Sequence, residues 1–431
     1  MTPSPGLITY KPNQVCRLTK SLYGLKQASR QWFSKLSSFL ISAGFIQSSS
    51  NYSLFIKKIA CIFTALLVYY VDDIILAGNS MYEINSIKNS MHSNFRIKDP
   101  GQLKYFLGLE IARRKKGIHI CQRKYALDIL NECEMLASKP SSTPLIRDTK
   151  VLFEDKPLLH NVNSYRWAAS LLNQHSFWHH LCCTSPYSVF STSNHPSPSS
   201  CSTYSPVHKR QPCTRYFFVA DNNIQLKAFS DSDWVACPKT RRSTTGLCIF
   251  LGTSLISWKS KKQTIVSRSS SEAKYHALAT TTYEVQCLTH FLNDFHIKPN
   301  VTIVLYYDNQ VVRHIAFNPT FHERTKYIDI DCHVIPEKLN AKLFYLLSIQ
   351  SCNQLANIFT KPLHHANFKI IISKLGIMSI HYPAWGKSII IIAILYSCCR
   401  LPNLRFFSVT IVSFCLFFLF KVFICCLYKW E

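Results

Sequence analysis

Two adjacent aspartates, Asp72 and Asp73, interrupt an otherwise apolar stretch, LLVYYVDDIILAG, from Leu66 to Gly78. β-branched and aromatic residues on both sides of a polar pair predict strand, tight turn, strand. Two carboxylates so placed repel each other and lose hydration, and a divalent cation is the usual compensation. Paired Mg²⁺ ions on such carboxylates can activate a 3′-hydroxyl and stabilise a leaving pyrophosphate. The other use of Asp in a turn is to bond its own backbone. Further along, a short strand ends in Asp231 and Asp233, and a strand over Thr302 to Tyr307 ends in Asp308.

The elements that must position these groups belong to a chain of 431 residues, long enough for two or three domains. Lys and Arg number 49 against 23 Asp and Glu, a net charge of +26. That balance favours a polyanionic partner, either nucleic acid or an anionic membrane surface. The 18 cysteines are scattered or in doublets without zinc-ligand spacing, so reduced thiols are expected and no structural metal. The polar, proline-rich start, Met1 to Pro12, is not a secretory signal.

Val15 to Phe33 interleaves Arg17, Lys20, Lys26 and Arg30 with Tyr23, Trp32 and Phe33. Such a mixture suits a phosphate backbone with stacked bases, and equally an amphipathic helix with a solvated basic face. Leu36, Phe39, Leu40 and Phe45 follow at helical spacing as core positions. The string LYGLKQASRQW, together with the YVDD box, resembles the reverse transcriptases of copia-type long-terminal-repeat retrotransposons. The resemblance implies a palm in which Asp72 and Asp73 are catalytic Mg²⁺ ligands. It also implies contacts of Arg17, Lys20, Tyr23, Lys26, Gln27 and Arg30 with template and incoming deoxynucleotide. Met81 to Phe95 reads as a helix with Ile84, Ile87, Met91 and Phe95 inward. Asp99 to Leu130 reads as a turn, a strand over Leu103 to Ile111, a basic turn at Arg113 to Gly117, a return strand to Cys121, and a helix from Lys124. This part resembles the family's primer grip and thumb, with Arg113, Arg114, Lys115 and Lys116 facing phosphates.

After Ser164-Tyr165-Arg166 the text changes. Trp167 to Arg215 is dense in Ser, His, Pro and Cys without a period of two or 3.6, and is expected to be disordered. Compensating frameshifts would account for it, and translating the other frames would test that.

Leu226 to Leu363 predicts three antiparallel strands, a helix from about Ser271 capped by Ser269 or Ser270, a further strand and more helix. The strings SDSDW, SWKSKKQ, YYDNQ and IFTKPL resemble the copia-type ribonuclease H domain. That fold holds Mg²⁺ on four carboxylates to cut RNA paired with DNA. Carried over, two of them fall on Asp231 and Asp308. The helix glutamate falls on Lys274, in Glu272-Ala273-Lys274-Tyr275, and the last aspartate on Asn357. Glu272 lies about 200° around the helix from position 274 and cannot replace it. An ammonium at 274, between Asp231 and Asp308, is expected to take a metal's place and weaken Mg²⁺ binding.

The C-terminus carries two apolar runs, Ser388 to Cys399 and Phe406 to Tyr428. The second exceeds the about 20 residues a bilayer crossing needs, although Lys421 interrupts it. It is either a membrane contact or read-through translation. The expected class is therefore α+β, an incomplete reverse-transcriptase palm and thumb followed by a ribonuclease H-like α/β domain and a hydrophobic tail. The expected divisions are a leader over 1–14, palm and thumb over 15–150, a disrupted connection over 151–216, a ribonuclease H-like domain over 217–365 and the tail over 366–431, with 406–428 the candidate span. No string like the family's first catalytic Asp motif precedes Cys16, so a truncated, catalytically defective, intracellular product is expected. Its partners would be RNA, DNA and RNA–DNA hybrid. A non-catalytic basic binder of nucleic acid and a membrane-tethered product are the competing readings.

Overall fold

The computed structural model describes residues 27–69, 73–95, 97–106, 109–114, 117–121, 123–132, 214–219, 224–237, 240–297, 302–310, 316, 329–379 and 390–396. They fall into two compact units, one from residues 1–101 with 391–400 and one from 102–390 with 401–431.

In the first unit, helix α1 (Ala28–Ser42) buries Leu36 and Leu40, one turn apart. Strands β1 (Ile46–Gln47), β2 (Leu54–Ile59), β3 (Ile62–Tyr69) and β4 (Asp73–Gly78) follow. The β3–β4 pairing runs antiparallel from Thr64↔Gly78 to Tyr69↔Asp73. The expected hairpin is therefore present, and β3 begins four residues before Leu66. Residues 70–72, Asp72 among them, lie outside the described residues. Ile74 to Ala77 are buried without alternation, the pattern of a strand covered on both faces. Gly78, the last residue of β4, leaves room for the facing strand, since a Cβ there would stand 2.7 Å from the Phe63 carbonyl oxygen. The next residue, Asn79, closes the strand pair: its Oδ1 accepts from Phe63 N at 2.9 Å and its Nδ2 donates to Cys61 O at 2.9 Å.

Helix α2 (Met81–Asn94) opens with a Ser-x-x-Glu box, Ser80 Oγ accepting from Glu83 N at 3.4 Å. Ile84, Ile87 and Met91 point inward, as their spacing predicts. Glu83 is also paired with Lys57 of β2 at 2.7 Å. Strand β5 (Ile97–Lys98) completes a sheet of order β1-β2-β3-β4-β16-β5. Strand β16 (Ile390–Tyr396), between β4 and β5 in this sheet, lies within the apolar run 388–399, so part of that run is a sheet strand. Among the described residues no helix is long and apolar enough to cross a membrane. The candidate span 406–428 lies outside them, as do 151–213 of the connection.

Among the described residues the second unit holds two sheets. The first comprises β6 (Tyr105–Phe106), β7 (Leu109–Arg114), β8 (Gly117–Cys121), β9 (Thr214–Val219) and β15 (Ile377–Ser379). The sequence predicts one strand over Leu103 to Ile111. The chain instead folds back between Phe106 and Leu109, which pair with each other. The apolar run gave no sign in the sequence of the break between β6 and β7. Helix α3 (Arg123–Glu132) follows β8.

The second sheet has the order β12-β11-β10-β13-β14. Strands β10 (Leu226–Asp233), β11 (Thr244–Leu251) and β12 (Ser254–Lys262) are antiparallel neighbours. Strand β13 (Ile303–Tyr307) runs parallel to β10, and β14 (Phe344–Ser348) parallel to β13. Helix α4 (Ser270–Asp294) packs on β10 and β11 and buries Tyr275, Leu278, Val285 and Leu292 among others. Helix α5 (Asp329–Asn340) precedes β14, and α6 (His365–Lys374) precedes β15. Between β14 and α6 the chain makes short 3₁₀ turns over Ser351–Asn353 and Leu355–Phe359.

Candidate functional site

Sheet register brings the carboxylates of the second unit together. In the parallel pair β10–β13, Phe229 stands opposite Tyr306. Two residues further along each strand are Asp231 and Asp308, so both emerge on one face at the carboxyl end of the parallel pair. That end is where open α/β sheets place their ligands. Asp231 is 1% exposed, and the Asp308 side chain is 4% exposed.

Helix α4 delivers the third group. Ser269 caps it, with Oγ accepting from Glu272 N at 3.1 Å. Glu272 turns back, its Oε2 accepting from Arg268 N at 2.7 Å. This reciprocal capping box spends Glu272 on the helix end, away from the carboxylate face. Lys274, in the next turn, faces the sheet. Its Nζ lies 2.5 Å from Asp308 Oδ1 and 3.5 Å from Asp231 Oδ1, an ammonium bridging two buried carboxylates.

The segment after β14 supplies the rest. Gln354, fully buried, donates from Nε2 to Ser230 O at 3.0 Å and ties this segment to β10. Ser260 Oγ donates to Phe359 O at 2.7 Å. Thr360 Oγ1 donates to Asp231 Oδ2 at 2.5 Å, and Lys361 Nζ lies 3.4 Å from the same oxygen. Ser351 Oγ donates to Asp308 Oδ2 at 3.3 Å. Asn357 donates from Nδ2 to Ser351 O at 2.7 Å, a bond that a carboxylate could not make; its buried Oδ1 has no hydrogen-bond partner. Gly246 permits the close approach. It pairs with Asp231 across β10–β11, and a Cβ there would stand 2.5 Å from Thr360 Cγ2 and 2.9 Å from Ala356 O.

Burial raises the Asp233 carboxyl above its ordinary value; the Asp231 carboxylate adds to the rise, and Lys361 opposes it. The turn after Asp233 is strained: Val235 has φ of 56° and Arg241 of 55°. A β-branched residue in that region costs about 1–3 kcal/mol and persists only where its surroundings impose it. Here Ser243 Oγ accepts from Val235 N at 3.2 Å.

Asp231, Asp308 and Lys274 thus come together at the carboxyl end of the β10–β13 pair, with Asn357 joined to them through Ser351 and Thr360. Lys361, Thr360 and Gly246 are additions that sequence reasoning missed. The one signal for Lys361 was its place in IFTKPL, four residues after Asn357. Of the residues predicted for the palm, Asp73 opens β4, Gln27 precedes α1, and Arg30 is exposed on α1. Arg113 and Arg114 end β7, Arg114 pairing with Gly117. Arg17, Lys20, Tyr23, Lys26, Lys115 and Lys116 lie outside the described residues. Among the described residues no three His, Cys, Asp or Glu side chains are grouped to hold a metal ion.

Residues 1–147 match the family described as "Reverse transcriptase (RNA-dependent DNA polymerase)". The chain is 34% identical to the "Retrovirus-related Pol polyprotein from transposon RE1" of Arabidopsis thaliana, over 88% of this chain and 26% of the polyprotein. It therefore spans about a quarter of that relative's length. An uncharacterised mitochondrial protein of Arabidopsis thaliana is 36% identical over 51% of this chain and 92% of its own length. A solved structure, ribonuclease H1 from Halobacterium salinarum, aligns with 31% of this chain and 90% of its own, at 14% identity and a TM-score of 0.21. The chain belongs to the copia-type long-terminal-repeat retrotransposon Pol family of reverse transcriptase and ribonuclease H proteins.

Proposed function

We propose that this chain is a nucleic-acid-binding relative of reverse transcriptase and ribonuclease H whose ribonuclease H-like site does not hydrolyse RNA–DNA hybrids. The observation that carries this reading is the Lys274 ammonium, 2.5 Å from Asp308 and 3.5 Å from Asp231. Two-metal hydrolysis needs carboxylates converging on ions about 3.5–4 Å apart. In this arrangement Asp231 and Asp308 are the carboxylates, and the remaining two positions are an ammonium, Lys274, and a neutral amide, Asn357. Lys361 adds a second cation beside Asp231. A divalent ion would have to displace Lys274 and accept two carboxylates in place of four. The residues present do not fit Mg²⁺, and no hydrolytic step through it is proposed for the unaltered chain.

What remains is binding. The net charge of +26 supplies the sequence-independent attraction to RNA, DNA and their hybrid. In the palm-like unit, Asp72 and Asp73 are the proposed Mg²⁺ ligands. Arg17, Lys20, Tyr23, Lys26, Gln27 and Arg30 are the proposed contacts to template and deoxynucleotide, and Arg113 to Lys116 the proposed phosphate contacts.

The test is hydrolysis of a labelled RNA–DNA hybrid by the full chain with Mg²⁺, beside the double variant Lys274→Glu plus Asn357→Asp. The expected result is cleavage by the double variant alone, with hybrid binding by both in EDTA. Cleavage by the unaltered chain, abolished by Asp231→Asn, would overturn the reading.

A further inference from the structure

We propose that Trp234, Ile265 and Val266, rimmed by Arg241, Arg242 and Arg268, form a metal-independent platform for an unpaired strand of nucleic acid. The inference rests on the nucleic-acid-binding reading above and assigns it a surface. Trp234 is 47% exposed, Ile265 46% and Val266 51%. Three large apolar side chains in solvent at one place call for a partner.

The patch is built rather than left over. Trp234 Nε1 donates to Ser267 O at 3.0 Å, which joins the end of β10 to the loop between β12 and α4. That loop is anchored from beneath by Gln263, buried, whose Nε2 donates to Thr245 Oγ1 at 3.0 Å and to Ala273 O at 2.8 Å. Ser267 Oγ donates back to Gln263 Oε1 at 3.0 Å. Gln263 and Ser267 point inward, and the residues between them are held outward. On the other side of Trp234, Cys237 N donates to Arg242 O at 3.2 Å, and Arg241 N to Cys237 O at 2.8 Å. This closes the turn that carries Arg241 and Arg242, both exposed. Arg268 follows Ser267 directly and is exposed as well.

Charge decides the occupant. An indole and two aliphatic side chains with a rim of arginines offer a stacking face inside a cationic border, the pairing that unpaired bases and their phosphates require. A duplex keeps its base faces stacked on each other, so the exposed apolar surface selects a single strand. The platform begins at the residue after Asp233 and contains no carboxylate, so a strand held here needs no metal.

The experiment is fluorescence anisotropy of the full chain with labelled oligothymidylate in EDTA, across a salt series. Trp234→Ala should weaken binding about 10-fold, the loss typical of one stacked base, with no change in salt slope. Trp234→Phe should stay within about twofold of the unaltered chain. The double variant Arg241→Ala plus Arg242→Ala should flatten the slope of log affinity against log salt by about 1.4. Ile265→Ser plus Val266→Ser, on the same loop, should also weaken binding. Unchanged affinity in Trp234→Ala and in the Ile265/Val266 double variant would overturn the platform and leave the patch to a protein partner. If that happens while the RNA–DNA hybrid still binds, the proposed function stands and the platform alone is wrong. If neither nucleic acid binds, both fall.

Discussion

Lys274 is where residue chemistry is most consequential. Its ammonium compensates two carboxylates whose side chains are 0% and 4% exposed. Breaking a buried ion pair from one side typically costs about 3–5 kcal/mol. Lys274→Ala should therefore destabilise by about 3 kcal/mol, the low end because Lys361 remains 3.4 Å from Asp231. Urea denaturation measures it, and Mg²⁺ should raise the midpoint of this variant but not of the unaltered chain. Asp233 gives a pH prediction. Its carboxyl is raised by burial and by Asp231. The folded state thus holds this proton more tightly than the unfolded one, and stability falls as pH rises from the unfolded to the folded value. Above the folded value the penalty is fully present. Asp233→Asn should be more stable than the unaltered chain at neutral pH, with the difference vanishing below the ordinary carboxylate range. Thermal unfolding across pH reads it directly. The types at 231, 274, 308 and 357 were legible in the sequence. The contacts of Thr360 and Lys361 with Asp231 were not: the string IFTKPL marks the segment, but nothing local shows that Thr360 acts on a strand 129 residues away.

At the scale of elements, α4 and the segment after β14 hold the cluster. Helix α4 needed no tertiary context to begin where it does: Ser269 and Glu272 form a box readable in the sequence. Ser269→Ala should cost about 1 kcal/mol, measured by denaturation. The docking of 355–361 on β11 was not readable, because it depends on an absent side chain. Gly246→Ala would press a methyl against Thr360 Cγ2 and the Ala356 carbonyl. It should cost about 1–3 kcal/mol by overpacking. Limited proteolysis should then cut near Thr360 sooner than in the unaltered chain. The misread strand over Leu103 to Ile111 makes the same point. Phe106 and Leu109 are both apolar, so hydrophobicity alone does not show that they pair with each other.

At the scale of the whole molecule, charge and topology carry different information. The +26 net charge predicts hybrid affinity that drops steeply with salt and is insensitive to EDTA, measurable by filter binding at two salt concentrations. Composition supports that statement without a fold. By itself the sequence determined the inward faces of α1 and α2, the start of α4, and the departures at Lys274 and Asn357, because periodicity, capping and residue identity are local. Only the tertiary structure decided that Asp308 stands beside Asp231, that Lys274 reaches both, and that Lys361 and Thr360 join them. Those distances follow from the parallel register Phe229↔Tyr306 and from the space Gly246 leaves open. Register is set by burial summed over whole strands, and no local stretch of sequence contains that sum.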